Sequence, residues 1–63
     1  MDGQYIIQGI LGERVIYSDD CDEEKEAKEY AEVLYRDLTF EGDKVRVITR
    51  DGELVLEIPE SEE

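Results

Sequence analysis

Histidine is absent from this 63-residue chain, and cysteine and proline occur once each. Without an imidazole, a nucleophile supported by a histidine base cannot form, and carboxylates are the only general acids or bases that the sequence offers. A carboxyl group needs shelter from water to shift its pKa toward neutrality, and a chain this short provides little shelter. None of the acidic residues lies in an apolar run. We therefore expect a protein that is not an enzyme and that binds no cofactor.

Long hydrophobic runs are also missing. Uninterrupted apolar stretches such as Ile10-Leu11 and Leu54-Val55-Leu56 are two or three residues long, whereas a membrane-spanning helix needs roughly 18. Residues 1–4 lack the basic and apolar parts of a secretory signal, and the lone Cys21 is typical of a reducing compartment. We expect a cytoplasmic protein with no membrane partner.

Positive charge is scarce, because seven Lys and Arg face 19 Asp and Glu and leave a net charge of −12. Such a surface repels phosphate, which argues against direct binding to nucleic acid or to an anionic membrane. The hydrophobic content of 40% is nevertheless too high for a disordered acidic polymer. We predict a single small domain over residues 1–59, followed by an acidic frayed tail over residues 60–63.

The first half of the chain predicts a hairpin and a helix. Residues 4–18 are rich in Ile, Val and Tyr around a break near Gly12, which indicates two strands joined by a tight turn. Asp20 and Glu23 have the spacing of a capping box, so the helix is predicted to begin there and to end before Gly42 and Asp43. At 100° per residue, the buried stripe is predicted to contain Ala27, Ala31, Leu34 and Leu38, with Tyr30 and Tyr35 on its shoulders.

The second half predicts another hairpin. Asp51-Gly52 between two alternating runs is typical of a two-residue type I′ turn. Counting outward from it gives the pairs Arg50/Glu53, Thr49/Leu54, Ile48/Val55, Val47/Leu56, Arg46/Glu57 and Val45/Ile58. The predicted core face then carries Val45, Val47, Leu54, Leu56 and Ile58, and the opposite face carries Ile48 and Val55 between two Arg/Glu pairs.

The element order ββαββ fixes the expected topology. The helix carries the chain from the second strand to a parallel third strand, which leaves room for the first strand between them. The fold class predicted is α+β, with a single helix packed on a four-stranded antiparallel sheet of strand order 2-1-3-4.

The acidic residues are unevenly distributed around the predicted helix. Lys25, Lys28, Glu32 and Arg36 share one flank, on which Glu24/Lys28 and Glu32/Arg36 have the i, i+4 spacing of ion pairs. The other flank has no basic residue to offset its charge, and Tyr30 and Val33 offer an apolar anchor beside it. The predicted partner-binding residues are Asp19, Asp20, Asp22, Glu23, Glu26, Glu29, Tyr30 and Val33.

A divalent-cation site over residues 19–24 is the first alternative for these acids. The segment lacks the glycine at position 6 and the glutamate at position 12 of an EF-hand loop. Acids in a first helical turn are already explained by capping and by the helix dipole. We therefore predict no metal site.

The predicted elements include strands at Tyr5-Ile6-Ile7 and Val15-Ile16-Tyr17, a helix through residues 26–32, and a strand at Val45-Arg46-Val47. With these elements in this order, and in its size and charge, the chain resembles small acidic phage-encoded inhibitors of host machinery, among them anti-CRISPR proteins and the T7-type inhibitor of bacterial RNA polymerase. No diagnostic motif matches, so the resemblance assigns no residue a role. It implies a stoichiometric inhibitor in the host bacterial cytoplasm that mimics nucleic acid and occupies a basic nucleic-acid-binding surface of a larger protein.

A second hypothesis is a cytosolic adaptor or regulatory subunit. Such a protein could form a homodimer by burying Ile48 and Val55 on the face of the sheet away from the helix. The acidity would then serve solubility or life in a high-salt cytoplasm.

Overall fold

A computed structural model describes residues 3–59 as one helix on a four-stranded antiparallel sheet. The elements are β1 (Tyr5–Leu11), β2 (Arg14–Cys21), α1 (Glu24–Arg36), β3 (Lys44–Thr49) and β4 (Leu54–Ile58). The sheet order is β2-β1-β3-β4, so the predicted fold class, element order and strand order are confirmed. The predicted tail over residues 60–63 lies outside the described residues. Within residues 3–59, no helix combines the length and the apolar composition needed to cross a membrane.

The core lies between α1 and the two central strands. Ile7 on β1 is paired with Val47 on β3, and both side chains are completely buried, as is that of Val45. Ala27 and Ala31 of α1 are also completely buried and pack on these three side chains. Because an alanine ends at Cβ, the helix axis can approach the sheet closely along this line.

The start of the helix differs from the prediction. Glu23 is the N-cap residue and makes no side-chain capping bond, so the capping box that begins at Asp20 is wrong. The chain instead stays extended through Cys21, because Asp20 pairs with Ile6 and Cys21 pairs with Tyr5 on β1. Strand pairing has therefore taken Asp20, the residue predicted to cap the helix.

The helix also ends earlier than predicted. Asp37 has extended backbone angles, and its carboxylate accepts hydrogen bonds from the backbone N–H and the hydroxyl of Thr39, both at 2.9 Å. This local turn competes with another helical turn. Leu38 consequently leaves the predicted buried stripe and is 99% exposed, whereas Leu34 packs against the core.

The second hairpin has a longer turn than predicted. The Thr49 carbonyl accepts the Gly52 N–H at 2.9 Å, Thr49 pairs with Glu53, and Gly52 has a φ of +94°. A three-residue loop with glycine in the left-handed region replaces the two-residue type I′ turn. The predicted pairs Arg50/Glu53, Thr49/Leu54 and Ile48/Val55 are therefore wrong.

An irregularity in the ladder restores the predicted register beyond the turn. Ile48 pairs with Leu54 and Val47 pairs with Leu56, so Val55 is the extra residue of a β-bulge. The pairs Val47/Leu56, Arg46/Glu57 and Val45/Ile58 are confirmed. The bulge reverses two predicted positions, because Leu54 is 55% exposed and Val55 packs against the core.

The open face, meaning the face of the sheet away from α1, carries polar contacts. Lys44 Nζ lies 3.1 Å from Glu57 Oε2, and Arg46 Nη2 donates to Gln8 Oε1 at 3.2 Å. Arg46 and Glu57 are ladder neighbours as predicted, but the ion pair of Glu57 is made with Lys44.

Truncating a side chain of the central core should destabilise this domain strongly, whereas truncating Leu38 should not. We expect Ile7→Ala to lower the free energy of unfolding by about 2–5 kcal/mol, because it leaves a cavity in a site with no exposure. The matched control Leu38→Ala should change it by less than about 0.5 kcal/mol. Urea denaturation measures both, and a large loss in Leu38→Ala would contradict the position of the helix end.

Candidate functional site

The close contact of Ala27 and Ala31 with the sheet determines which helix residues lie beside the edge strand β2. Tyr30 directs its hydroxyl to Tyr17 and Asp19 on β2, and Val33 lies one helical turn further along the same side. Glu26, one turn before Tyr30, lies beside Cys21 at the end of β2. The β2 side of the helix is therefore a continuous surface with β2.

Asp19 and two tyrosines form a hydrogen-bonded cluster on this surface. Asp19 pairs with the buried Ile7, so its side chain lies on the helix face of the sheet. Asp19 Oδ2 accepts the Tyr30 hydroxyl at 2.8 Å and lies 3.5 Å from the Tyr17 hydroxyl. The two tyrosine hydroxyls are also bonded to each other, and their rings are tilted by 59° with centroids 6.3 Å apart. The cluster links β2 to α1 through polar groups.

These contacts keep the carboxylate charged without a cation. The Tyr30 hydroxyl, followed by the backbone N–H of Asp20, holds the pKa of the Asp19 carboxyl below its usual value. The bond with Tyr17, followed by desolvation and the bond with Asp19, raises the pKa of Tyr30 above its usual value. Both shifts move the groups away from neutral pH, so the cluster keeps its negative charge over the physiological range.

A groove of about 420 Å³ runs between β2 and α1. We call it the β2–α1 groove. Its apolar and aromatic walls are formed by Ile16, Tyr17, Tyr30, Val33, Leu34 and Phe40, and Asp37, Thr39 and Glu41 lie at one end. No lysine or arginine among the described residues lines it. A ligand for this groove would therefore bring apolar surface and positive charge.

Phe40 closes the floor of the groove because the sheet has no side chain at Gly9. A Cβ atom built on Gly9 would lie 2.7 Å from Cε1 of Phe40, which is closer than real Cβ contacts. The aromatic ring thus takes the position that any larger residue at Gly9 would fill.

A second, shallower depression lies at the end of β2. It is lined by Gly3, Asp20, Cys21, Asp22 and Glu26. The Cys21 thiol lies 3.4 Å from the carbonyl oxygen of Glu23 and 3.8 Å from Glu26 Oε1. Among residues 3–59, no three Asp, Glu or Cys side chains are grouped so that they could hold a metal ion.

The predicted partner-binding residues do not form one helix flank. Asp19 and Asp20 are on β2, and strand alternation puts Asp20 on the open face with Ile6. Asp22 and Glu23 lie between β2 and α1. Glu29 is exposed on the outer side of the helix, in a depression that it shares with Lys25 and Lys28. Asp19, Glu26, Tyr30 and Val33 are the predicted residues that border the β2 side.

The predicted mixed flank is only partly paired. Lys28 and Glu24 form an ion pair at 3.0 Å, whereas Glu32 and Arg36 form none within the described part of the chain. Arg36 instead lies with Tyr35 and Leu56 on the side of the helix that faces β4.

Sequence reasoning missed Ile16, Tyr17 and Phe40 as groove residues. Residues 17 and 19 alternate onto one face of their strand, and pairing of Asp19 with the core residue Ile7 makes this the helix face. The alternation that relates Tyr17 to Asp19 was therefore readable in the sequence. The positions of Ile16 and Phe40 had no such signal, since Ile16 lies at an irregularity of the β1–β2 ladder and Phe40 lies in a loop.

Comparisons with known protein families, with curated proteins and with solved structures find no match to this chain.

The cluster predicts a coupled titration. Removing the Tyr30 hydroxyl in Tyr30→Phe should raise the pKa of Asp19 toward its ordinary value of about 3.9, because the largest stabilisation of the carboxylate is lost. Tyr17→Phe should raise it less, because its bond to Asp19 contributes least. Carboxyl carbon chemical shifts followed against pH measure both values, and an unchanged Asp19 pKa in folded Tyr30→Phe would contradict the cluster.

The lowered pKa of Asp19 also makes the free energy of unfolding depend on pH. Because the pKa of Asp19 is lower in the folded state, its contribution is present above about pH 4 and is lost as the pH falls through the folded-state value. Asp19→Asn should therefore show a smaller loss of unfolding free energy than the unmodified protein over that acidic range, as measured by urea denaturation at a series of pH values.

Proposed function

We propose that this protein is a non-enzymatic acidic protein-binding module, and that it acts as a stoichiometric inhibitor by mimicking nucleic acid on a basic surface of a larger bacterial protein. The observation that carries the proposal is the β2–α1 groove, where apolar and aromatic side chains are bordered by carboxylates and, within the described part of the chain, by no lysine or arginine. Such a surface fits a partner that presents both positive charge and apolar contacts.

The distribution of charge around α1 supports a basic partner that docks on the side of the helix facing the β2–α1 groove. Asp19, Glu26, Asp37 and Glu41 border the β2 side of α1. The basic residues of the helix lie elsewhere, since Lys25 and Lys28 line the outer depression and Arg36 faces β4. A basic partner approaching the groove therefore meets carboxylates without having to displace a lysine or arginine first.

The apolar side chains of the groove can make a complex dissociate more slowly than charge alone would. Val33 is 68% exposed and Ile16 is 42% exposed, and both line the groove. Burying such side chains in a complex slows dissociation, whereas complementary charge mainly speeds association and selects the partner. Both contributions suit a mimic of nucleic acid, because physiological salt weakens a purely electrostatic complex.

Two features support a binding role over catalysis. The pKa of Asp19 is lowered and that of Tyr30 is raised, so neither group exchanges its proton readily near neutral pH. The groove is also lined by exposed side chains such as Val33 and Ile16, which a protein surface can contact directly.

The adaptor hypothesis receives less support from the open face. Val55 packs toward the core, and Ile48 lies on the open face between its ladder partners Ile6 and Leu54. The polar side chains of Arg46 and Glu57 lie next to this small apolar row. A homodimer through this face would bury those polar groups along with a small apolar area.

A capture and displacement experiment tests the proposal. The immobilised protein is exposed to nuclease-treated bacterial lysate, and a captured protein is then challenged with duplex DNA or with RNA. We expect the captured protein to bind nucleic acid on its own, to release this protein as nucleic acid is added, and to dissociate at high salt. A partner indifferent to both competitor and salt would overturn the proposal.

Charge reversal on the two sides of α1 locates the contact. We expect Glu26→Lys to slow association with the captured partner and to weaken binding about tenfold or more, since one attraction becomes a repulsion. Glu32→Lys is the matched control, because it makes the same change of charge on the same helix away from the groove, and should have a much smaller effect. Equal effects in both variants would show that only net charge matters. Circular dichroism checks that both variants remain folded.

A further inference from the structure

The outer edge of β2 is exposed and, within residues 3–59, has no neighbouring strand. In this part of the chain β2 pairs with β1 only, and every residue from Arg14 to Asp20 is exposed. Natural edge strands are commonly protected by charged side chains, by proline, by a bulge or by being very short. β2 is eight residues long and has no proline, and its charged residues are Arg14 at one end and the carboxylates Asp19 and Asp20 at the other. Its ladder irregularity lies near Ile16, which leaves the stretch from Tyr17 to Cys21 regular.

The hydrogen bonds of β1 show which groups of β2 face outward. The carbonyl oxygens of Gln4 and Ile10 accept bonds from Arg50 and Asp43, so the even-numbered residues of β1 direct their backbone groups toward β3. The odd-numbered residues then face β2 and bond to Tyr17, Asp19 and Cys21. It follows that Ser18 and Asp20 direct their N–H and C=O groups away from the sheet.

One of these outward groups is already bonded. The Asp20 N–H donates to Asp19 Oδ1 at 2.8 Å. The N–H of Ser18 has no hydrogen-bond partner among the residues that the structure describes. Ser18 is therefore the point at which an additional strand could both donate and accept backbone hydrogen bonds.

We propose that an extended basic segment of the partner pairs with the outer edge of β2 at Ser18 and forms a fifth strand of the sheet. This inference rests on the proposed function and gives the mode of binding. Asp19 lies on the helix face and Asp20 on the open face, so basic side chains on either face of the added strand meet a carboxylate. Further along the same edge, Ile16 and Tyr17 lead its apolar side chains into the β2–α1 groove.

Charge also selects against a second copy of this chain as the added strand. Two β2 edges paired around Ser18 would bring both copies of Asp19 and Asp20 together, in a protein with a net charge of −12. A basic segment relieves this repulsion, whereas a second copy adds to it. The edge is thus open to a basic strand and closed to self-association.

The test uses a synthetic peptide of alternating lysine and valine, and the same peptide with N-methyl groups on the amides of its pairing edge. The methylated peptide keeps its charge and side chains but cannot donate backbone hydrogen bonds. We expect it to bind the full chain about tenfold more weakly or worse, which is the effect of losing two such bonds. Amide exchange at Ser18 should slow with the unmethylated peptide only.

Variants of Ser18 provide the matched pair on the protein side. Ser18→Pro removes the outward N–H, and proline is tolerated on an edge strand when its missing N–H faces solvent. We expect it to lose about tenfold in affinity for the unmethylated peptide, while Ser18→Ala, which keeps the N–H, binds as the unmodified protein does. If Ser18→Pro does not fold, the comparison of the two peptides on the unmodified protein still tests whether binding requires backbone hydrogen bonds.

The outcomes separate the two proposals. Equal binding of both peptides that disappears at high salt would overturn strand addition, while a nucleic-acid-competitive partner in the capture experiment would still support the proposed function. Failure of both peptides to bind would also overturn strand addition. Failure of the capture experiment, by contrast, overturns the proposed function whatever the peptides do.

Discussion

The packing of Ala27 and Ala31 on Ile7, Val45 and Val47 is the contact on which the other features of this structure depend. It fixes how the helix is rotated about its axis, because only the two alanines allow this close approach. That rotation turns Glu26, Tyr30 and Val33 toward β2 and turns Arg36 toward β4. The separation of acidic and basic sides, the tyrosine cluster and the groove all follow from a core of small residues on the helix and branched residues on the sheet.

Regular alternation and helical periodicity were sufficient to predict the architecture. Ile7 was within a predicted strand, and Ala27 and Ala31 were in the predicted stripe. The strand order followed from the helical connection, which makes the second and third strands parallel and leaves room for the first between them. The errors are at positions where two local structures compete. Asp20 could cap a helix or extend a strand, and tertiary pairing with Ile6 decided in favour of the strand. Leu38 fitted the helical phase, but Asp37 and Thr39 formed a turn first. The Asp51-Gly52 pair is compatible with more than one type of hairpin turn. The predicted register assumed a regular ladder on both sides of the turn, so it could not include the bulge at Val55.

The way in which Asp19 is stabilised matters for a binding surface. A carboxylate beside a lysine is stabilised but also neutralised, so its field no longer reaches a partner. Asp19 is stabilised by two hydroxyl groups and a backbone N–H, all of them neutral donors, and its charge remains available. The same is true of Asp37, whose pKa is held low by the backbone N–H and the hydroxyl of Thr39. Carboxylates held in this way are rigid as well as charged, which reduces the entropy lost when a partner binds.

The central position of β1 has a consequence for synthesis of the chain on the ribosome. β1 and β2 are made one after the other and can pair as soon as both have emerged. The other edge of β1 has no native partner until residues 44–49 follow. During that interval the nascent hairpin is an exposed apolar strand pair in a crowded environment. The hairpin already carries Asp19 and Asp20, and the acids of α1 emerge during the same interval, so repulsion between neighbouring nascent chains opposes association of the hairpin before the fold is complete.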